Sequence, residues 1–137
     1  MTPQICSIKQ NPPESYGDCI RACIASILDM DCENVPHLVD VNGYFQLDEM
    51  RAWLADLGYG LAYMLFDGET SRDEMLQSWG IMNPGIHAML LAQTASGGDH
   101  AVIVYGDKIV HDPAWIRSPI VAANSNGYWN FFVLCVL

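Results

Sequence analysis

The chain has 137 residues, 51% hydrophobic and 16% charged, with six Lys+Arg against sixteen Asp+Glu for a formal net charge of −10. That length suits one domain, residues 1–137, with a single core, and the low charged fraction excludes a disordered chain. The acidic balance excludes a general nucleic-acid binder, because neutralising phosphates needs cations; it suits a solubility role or a basic protein partner.

Met1-Thr2-Pro3-Gln4-Ile5-Cys6 carries no basic region followed by an apolar run, so no signal peptide is expected. No stretch approaches a membrane-spanning length, and no membrane partner is expected. The cysteines at 6, 19, 23, 32 and 135 form an odd set without a Cys-x-x-Cys pair. Free thiols in a reducing cytoplasm are the expectation. No cofactor motif is present.

Residues 1–17 read as an extended arm or loop, since Asn11-Pro12-Pro13 forbids regular helix. Tyr16-Gly17-Asp18-Cys19 then reads as a turn delivering a cysteine to the first turn of a helix that runs to about Asp29. Gly17 supplies the bend and Asp18 is an N-cap residue. Ile20, Ala22, Cys23, Ile24, Ile27 and Leu28 leave almost no polar face, which predicts a buried helix. A cysteine at that start meets unpaired backbone N–H groups and the positive end of the helix dipole, and both favour the thiolate. Asp18 opposes this, so a histidine elsewhere must complete the activation.

Cys32 to Val41 reads as a short turn or helix. Leu47, Met50, Trp53, Leu54 and Leu57 recur at helical spacing, with Gly58 closing the element. Tyr59 to Phe66 resembles a strand. Ser71 to Trp79 is a third helix, with Ser71 as cap and Glu74 three residues on. Beyond Pro84-Gly85, the stretches 86–94, 99–105, 108–112 and 128–136 are rich in β-branched and aromatic residues. Helices first and strands afterwards predict an α+β fold with a mainly antiparallel sheet.

Two further motifs match the cysteine. Gly97-Gly98-Asp99-His100-Ala101-Val102 puts a histidine at the start of a strand, and Val110-His111-Asp112-Pro113 puts an acid at the end of the next. A histidine that removes the thiol proton, steadied by an acid that fixes its tautomer, is what thiol nucleophilic catalysis needs. In this order and on these elements the motifs resemble those of papain-like cysteine peptidases. The chain is similar to the bacteriocin-processing peptidases that cut double-glycine leader peptides, and to small proteins of this type in bacteria and their phages.

The resemblance covers nearly the whole chain and implies a papain-like fold. Cys19 would be the nucleophile, His100 the general base and Asp112 the orienter, acting on a peptide or protein substrate. The family places an oxyanion-stabilising glutamine six residues before the cysteine, where this chain has Pro13. Gln10 takes the role if the loop from Asn11 to Tyr16 carries an insertion, with Gln4 the poorer choice; the Cys19 N–H is the second donor. Gly98 and Asp99 at the loop mouth are candidate substrate contacts, although Asp99 also reads as a plain turn residue. Trp115 either lines a groove or anchors the core.

Strand alternation sets a register condition. A regular hairpin closed by a two-residue turn at Gly106-Asp107 would set Asp112 opposite Ala101, on the face away from His100, and would bring His111 to the face of His100 instead. A triad on Asp112 therefore predicts a three-residue connection or a bulge in this hairpin. His111 is the competing base, and Cys19, Cys23, His100 and His111 are the competing metal set, though without the paired spacing of a structural zinc site. Cys6, Cys23, Cys32 and Cys135 read as packing residues, His37 and His87 as core or surface residues. The rival reading overall is a non-catalytic acidic binding protein on the same fold, such as a phage inhibitor of a host factor.

Overall fold

The structure is a computed structural model and describes residues 1–8, 10–12 and 14–137. The chain is an α+β protein. Among the described residues it has three α-helices, α1 (Cys19–Ile27), α2 (Leu47–Asp56) and α3 (Arg72–Met82), and a short 3₁₀ turn at Cys32–Asn34. Six strands follow in one sheet: β1 (Tyr59–Asp67), β2 (His87–Thr94), β3 (Asp99–Tyr105), β4 (Lys108–His111), β5 (Ile120–Ala123) and β6 (Tyr128–Val136). Their order is β1-β6-β2-β3-β4, with β5 also on β2. No helix among the described residues is long and apolar enough to cross a membrane.

The residues fall into two compact units. The first holds Met1–Ala62, Pro113–Trp115 and Leu134–Leu137; the second holds Tyr63–Asp112 and Ile116–Val133.

In the first unit α1 is buried along Ile20, Ala22, Cys23, Ile24 and Ala25, as its apolar composition requires. It stops two residues before the expected Asp29, which itself takes a positive φ of 56°. Asp29 occupies the left-handed position that aspartate tolerates better than most residues. The arm lies along this helix. Thr2 N–H donates to Ser26 O (3.1 Å), Gln4 N–H to Ser26 Oγ (2.8 Å), and Ser7 and Ile8 to Asp18 at the other end. Among its described residues the arm carries no regular strand; Pro13 lies outside the described residues. In α2, Met50 and Leu54 are buried on the predicted face, and Gly58 (φ 86°) terminates the helix by donating to Ala55 O.

The second unit is organised on α3 and one sheet face. Ser71 caps α3 by accepting from Glu74 N–H (3.2 Å), as its spacing predicts. Met75 and Trp79 of α3 pack with Ala88, Leu90, Ala92, Val102, Val104, Trp129 and Phe131. The Trp79 and Phe131 rings stack with centroids 4.1 Å apart. α3 approaches the β3–β4 turn so closely that a Cβ on Gly80 would lie 2.7 Å from Asp107 N.

Nothing in the sequence marks strand β5. Its four residues continue the line of β6. Ala92 faces Ala123 of β5, while its neighbour Leu91 faces Asn130 of β6, so the intervening chain loops off β2. A four-residue strand that finishes another strand's ladder has too short a pattern to stand out.

Candidate functional site

The predicted residues divide between the two units. Gln10, Cys19 and Trp115 belong to the first; Gly98, Asp99, His100 and Asp112 belong to the second.

In the second unit the hairpin β3–β4 brings His100 and Asp112 together. Tyr105 faces Lys108 across a two-residue turn at Gly106-Asp107, so the connection itself is regular. The irregularity comes one step later. Val104 faces Ile109 but Ile103 faces His111, which leaves Val110 as the extra residue of a bulge. Past the bulge His111 lies opposite Ile103, and Asp112 comes round to the face of Val102 and His100. His100 Nε2–H donates to Asp112 Oδ1 at 2.7 Å, with both side chains largely shielded (14% and 15% exposed). Without the extra residue in β4, alternation would have given that face to His111. The structure therefore assigns Asp112, and not His111, to the face of His100.

The neighbours of this pair are committed elsewhere. Asp99 accepts from Ser125 N–H (2.9 Å) and from the Ser125 hydroxyl, so its carboxylate holds the 124–127 loop. Gly98 closes the β2–β3 turn by accepting from Thr94 N–H (3.0 Å). Nothing in the sequence marks Ser125, a loop serine, as the partner of an acid 26 residues away.

In the first unit Cys19 is the first residue of α1 and is half-buried. Asp18 stands at the N-cap position but does not act as a cap: its side chain makes no bond to the helix N–H groups. It is fully buried (0% exposed) and turned into the arm. Oδ1 accepts from Ser7 N–H (2.9 Å) and Ile8 N–H (3.0 Å), and Oδ2 accepts from the Ser7 hydroxyl (2.6 Å). Arg21 Nη1 lies 3.8 Å from Oδ2. These donors outcompete the helix terminus because they saturate a buried carboxylate that water cannot reach. The negative charge expected to oppose a Cys19 thiolate is thereby met by three hydrogen bonds and a guanidinium.

Gln10 lies against the same turn. Its Oε1 accepts from Gly17 N–H. Asn11 and Ser15 exchange both backbone hydrogen bonds (3.0 Å each), and Gln10 meets Gly17 beside that bridge. Gln4 sits elsewhere: its N–H bonds Ser26, seven residues along α1 from Cys19 or about 10 Å at the helical rise. His37 Nε2–H donates to Tyr16 O (3.2 Å), tying the segment after the 3₁₀ turn to the residue before Gly17.

Trp115 is no core anchor, being 63% exposed. Its indole N–H donates to Cys6 O, while Cys6 N–H donates to Pro113 O (2.8 Å), so it pins the arm. Cys23 is buried in α1. Cys32 lies behind the arm, with its thiol 3.6 Å from Ile5 O; burial, reinforced by the charge of Asp18, pushes its pKa up. Among the described residues no three His, Cys, Asp or Glu side chains are grouped so as to hold a metal ion. No family model, no curated protein and no solved structure matches this chain.

Proposed function

We propose that the chain is a papain-like cysteine hydrolase that cleaves a peptide or isopeptide bond, working in the cytoplasm. Cys19 is the nucleophile, His100 the general base, Asp112 its orienter, and Gln10 with the Cys19 N–H the oxyanion donors. The observation that carries this reading is the His100–Asp112 hydrogen bond, which depends on the bulge at Val110. A bulge that re-aims one acid onto a histidine is a feature of a site more than of a plain hairpin.

Chemistry follows from the tautomer. With Nε2–H given to Asp112, proton exchange with a thiol falls to Nδ1, and the carboxylate steadies the imidazolium that results. The Cys19 thiolate adds to the amide carbonyl, and the oxygen takes the electron pair. His100 returns its proton to the leaving amine as the C–N bond breaks, leaving a thioester. Water, deprotonated by His100, then releases the acid and restores the thiol.

The test is the pH dependence of Cys19 alkylation by iodoacetamide, mapped by mass spectrometry, in wild type, His100→Ala and Asp112→Asn. Wild-type Cys19 is expected to react at pH 6. Both substitutions should slow it there by on the order of tenfold or more, as the thiolate loses its counterion. A Cys19 that reacts like an ordinary thiol in all three proteins would remove the hydrolase reading. The acidic binding protein would then stand, and pull-downs with Cys19→Ala, intact in that case, would seek its partner.

A further inference from the structure

We infer that Asp18 is a positioning residue, whose carboxylate clamps the arm against the nucleophile's turn and thereby sets the Gln10 amide for oxyanion binding. Its functional consequence rests on the hydrolase reading; the clamp itself rests on geometry alone.

The side chain is fully buried beside Cys19 and yet makes no hydrogen bond to the helix N–H groups. Its acceptor capacity is given to residues 11 and 10 positions earlier, Ser7 and Ile8. An aspartate bonded to the first-turn N–H groups would bring a negative charge to the place where an oxyanion must be stabilised. Turned into the arm, the same carboxylate leaves that role to neutral donors.

Two residues beyond Ile8, Gln10 meets Gly17. Because the Gly17 N–H is a donor, the amide oxygen must face it, which directs the NH₂ end away as the donor. A Cβ on Gly17 would already lie 3.2 Å from that oxygen and 3.5 Å from Ile8 O, so arm and turn are in close contact along this stretch. Asp18 holds the arm at residues 7 and 8, and Gly17 holds it at residue 10. An amide fixed at one end only would sweep a range of rotamers and lose its value as a preorganised donor.

The test uses the full chain with Asp18→Asn, Ser7→Ala and Gln10→Ala. Three readouts are taken: amide hydrogen exchange, Cys19 alkylation, and affinity for N-acetylglycinal, an aldehyde that adds reversibly to a thiolate. Binding is measured as protection of Cys19 from alkylation. In Asp18→Asn the Ser7 and Ile8 amides should exchange at least about tenfold faster, with α1 amides beyond the first turn unchanged, because on the helix the substitution weakens only the Arg21 ion pair. Aldehyde affinity should fall by roughly tenfold in both Asp18→Asn and Gln10→Ala, with no further loss in the double variant, since the two act as one unit. The pH profile of alkylation should stay as in wild type in Ser7→Ala and Gln10→Ala, which change no charge.

Unchanged exchange at Ser7 and Ile8, or an aldehyde affinity that drops in Gln10→Ala but not in Asp18→Asn, would overturn the inference. Should Asp18→Asn fail to fold, Ser7→Ala removes one of the three bonds and must show the same pattern at smaller amplitude. Aldehyde that never protects wild-type Cys19 would refute the hydrolase reading and the catalytic consequence with it, while the exchange rates still decide the clamp.

Discussion

The chemistry of this chain is set by which partner each polar side chain finds. Asp18, Asp99 and Asp112 all read as turn or terminus residues, and each ends on a different donor: the arm, Ser125 and His100. Only the last pairing was visible in the sequence, because histidine and acid stand at the facing ends of adjacent strands. Cys32 offers a check on burial as a cause. Its pKa is raised above the usual thiol value of about 8.5. Cys32 is therefore expected to alkylate at neutral pH more slowly than the exposed Cys135, and to need more alkaline conditions for half-maximal rate. The linked stability has a definite sign: it is fully present below the usual thiol value and is lost as pH rises through the raised one. Equal rates for Cys32 and Cys135 at pH 7.5 would contradict the assignment.

At the scale of elements, caps and turns followed local rules and deviations came from packing. Ser71 and Gly58 serve as the cap and stop that their spacing predicts. Gly80 has no local reason to be glycine within α3, and its reason is tertiary: the Asp107 backbone lies against it. Gly80→Ala should cost about 1–3 kcal/mol, the usual penalty for overpacking against backbone that cannot yield. Gly58→Ala, where a Cβ meets nothing, should cost about 1–2 kcal/mol from its positive φ alone. Gly58→Asn should recover part of that, whereas no residue larger than glycine should rescue position 80. Urea titration of the three variants separates the two causes.

For the whole molecule, sixteen acidic residues against six basic ones leave the folded chain working against its own charge. Screening should relieve this. Raising NaCl from 20 mM to about 0.5 M, where the Debye length falls to a few ångströms, is expected to raise the thermal midpoint. A midpoint that falls with salt would instead mean that specific ion pairs dominate. The apolar content is spent on two compact units, one containing the Cys19 helix and one built on the α3 face of the sheet. The Trp79–Phe131 stack lies within the second.

The sequence by itself determined the order and type of the helices and of the strands other than β5, because periodicity, caps and turn residues act over a few neighbours. It located α2 and α3 within a few residues, gave β3 and β6 their observed bounds, and left α1 too long by two. It also stated the condition on the β3–β4 hairpin, since side-chain alternation is a local rule. Only the tertiary structure decided how that condition was met, by a bulge at Val110 behind a regular turn. It alone decided that Asp18 serves the arm in place of the helix, that Gln10 and not Gln4 returns to the cysteine turn, and that a short β5 completes the ladder of β6. Those outcomes depend on competition among donors far apart in the chain, and nothing in the spacing of residues encodes which donor is nearest once the core has closed.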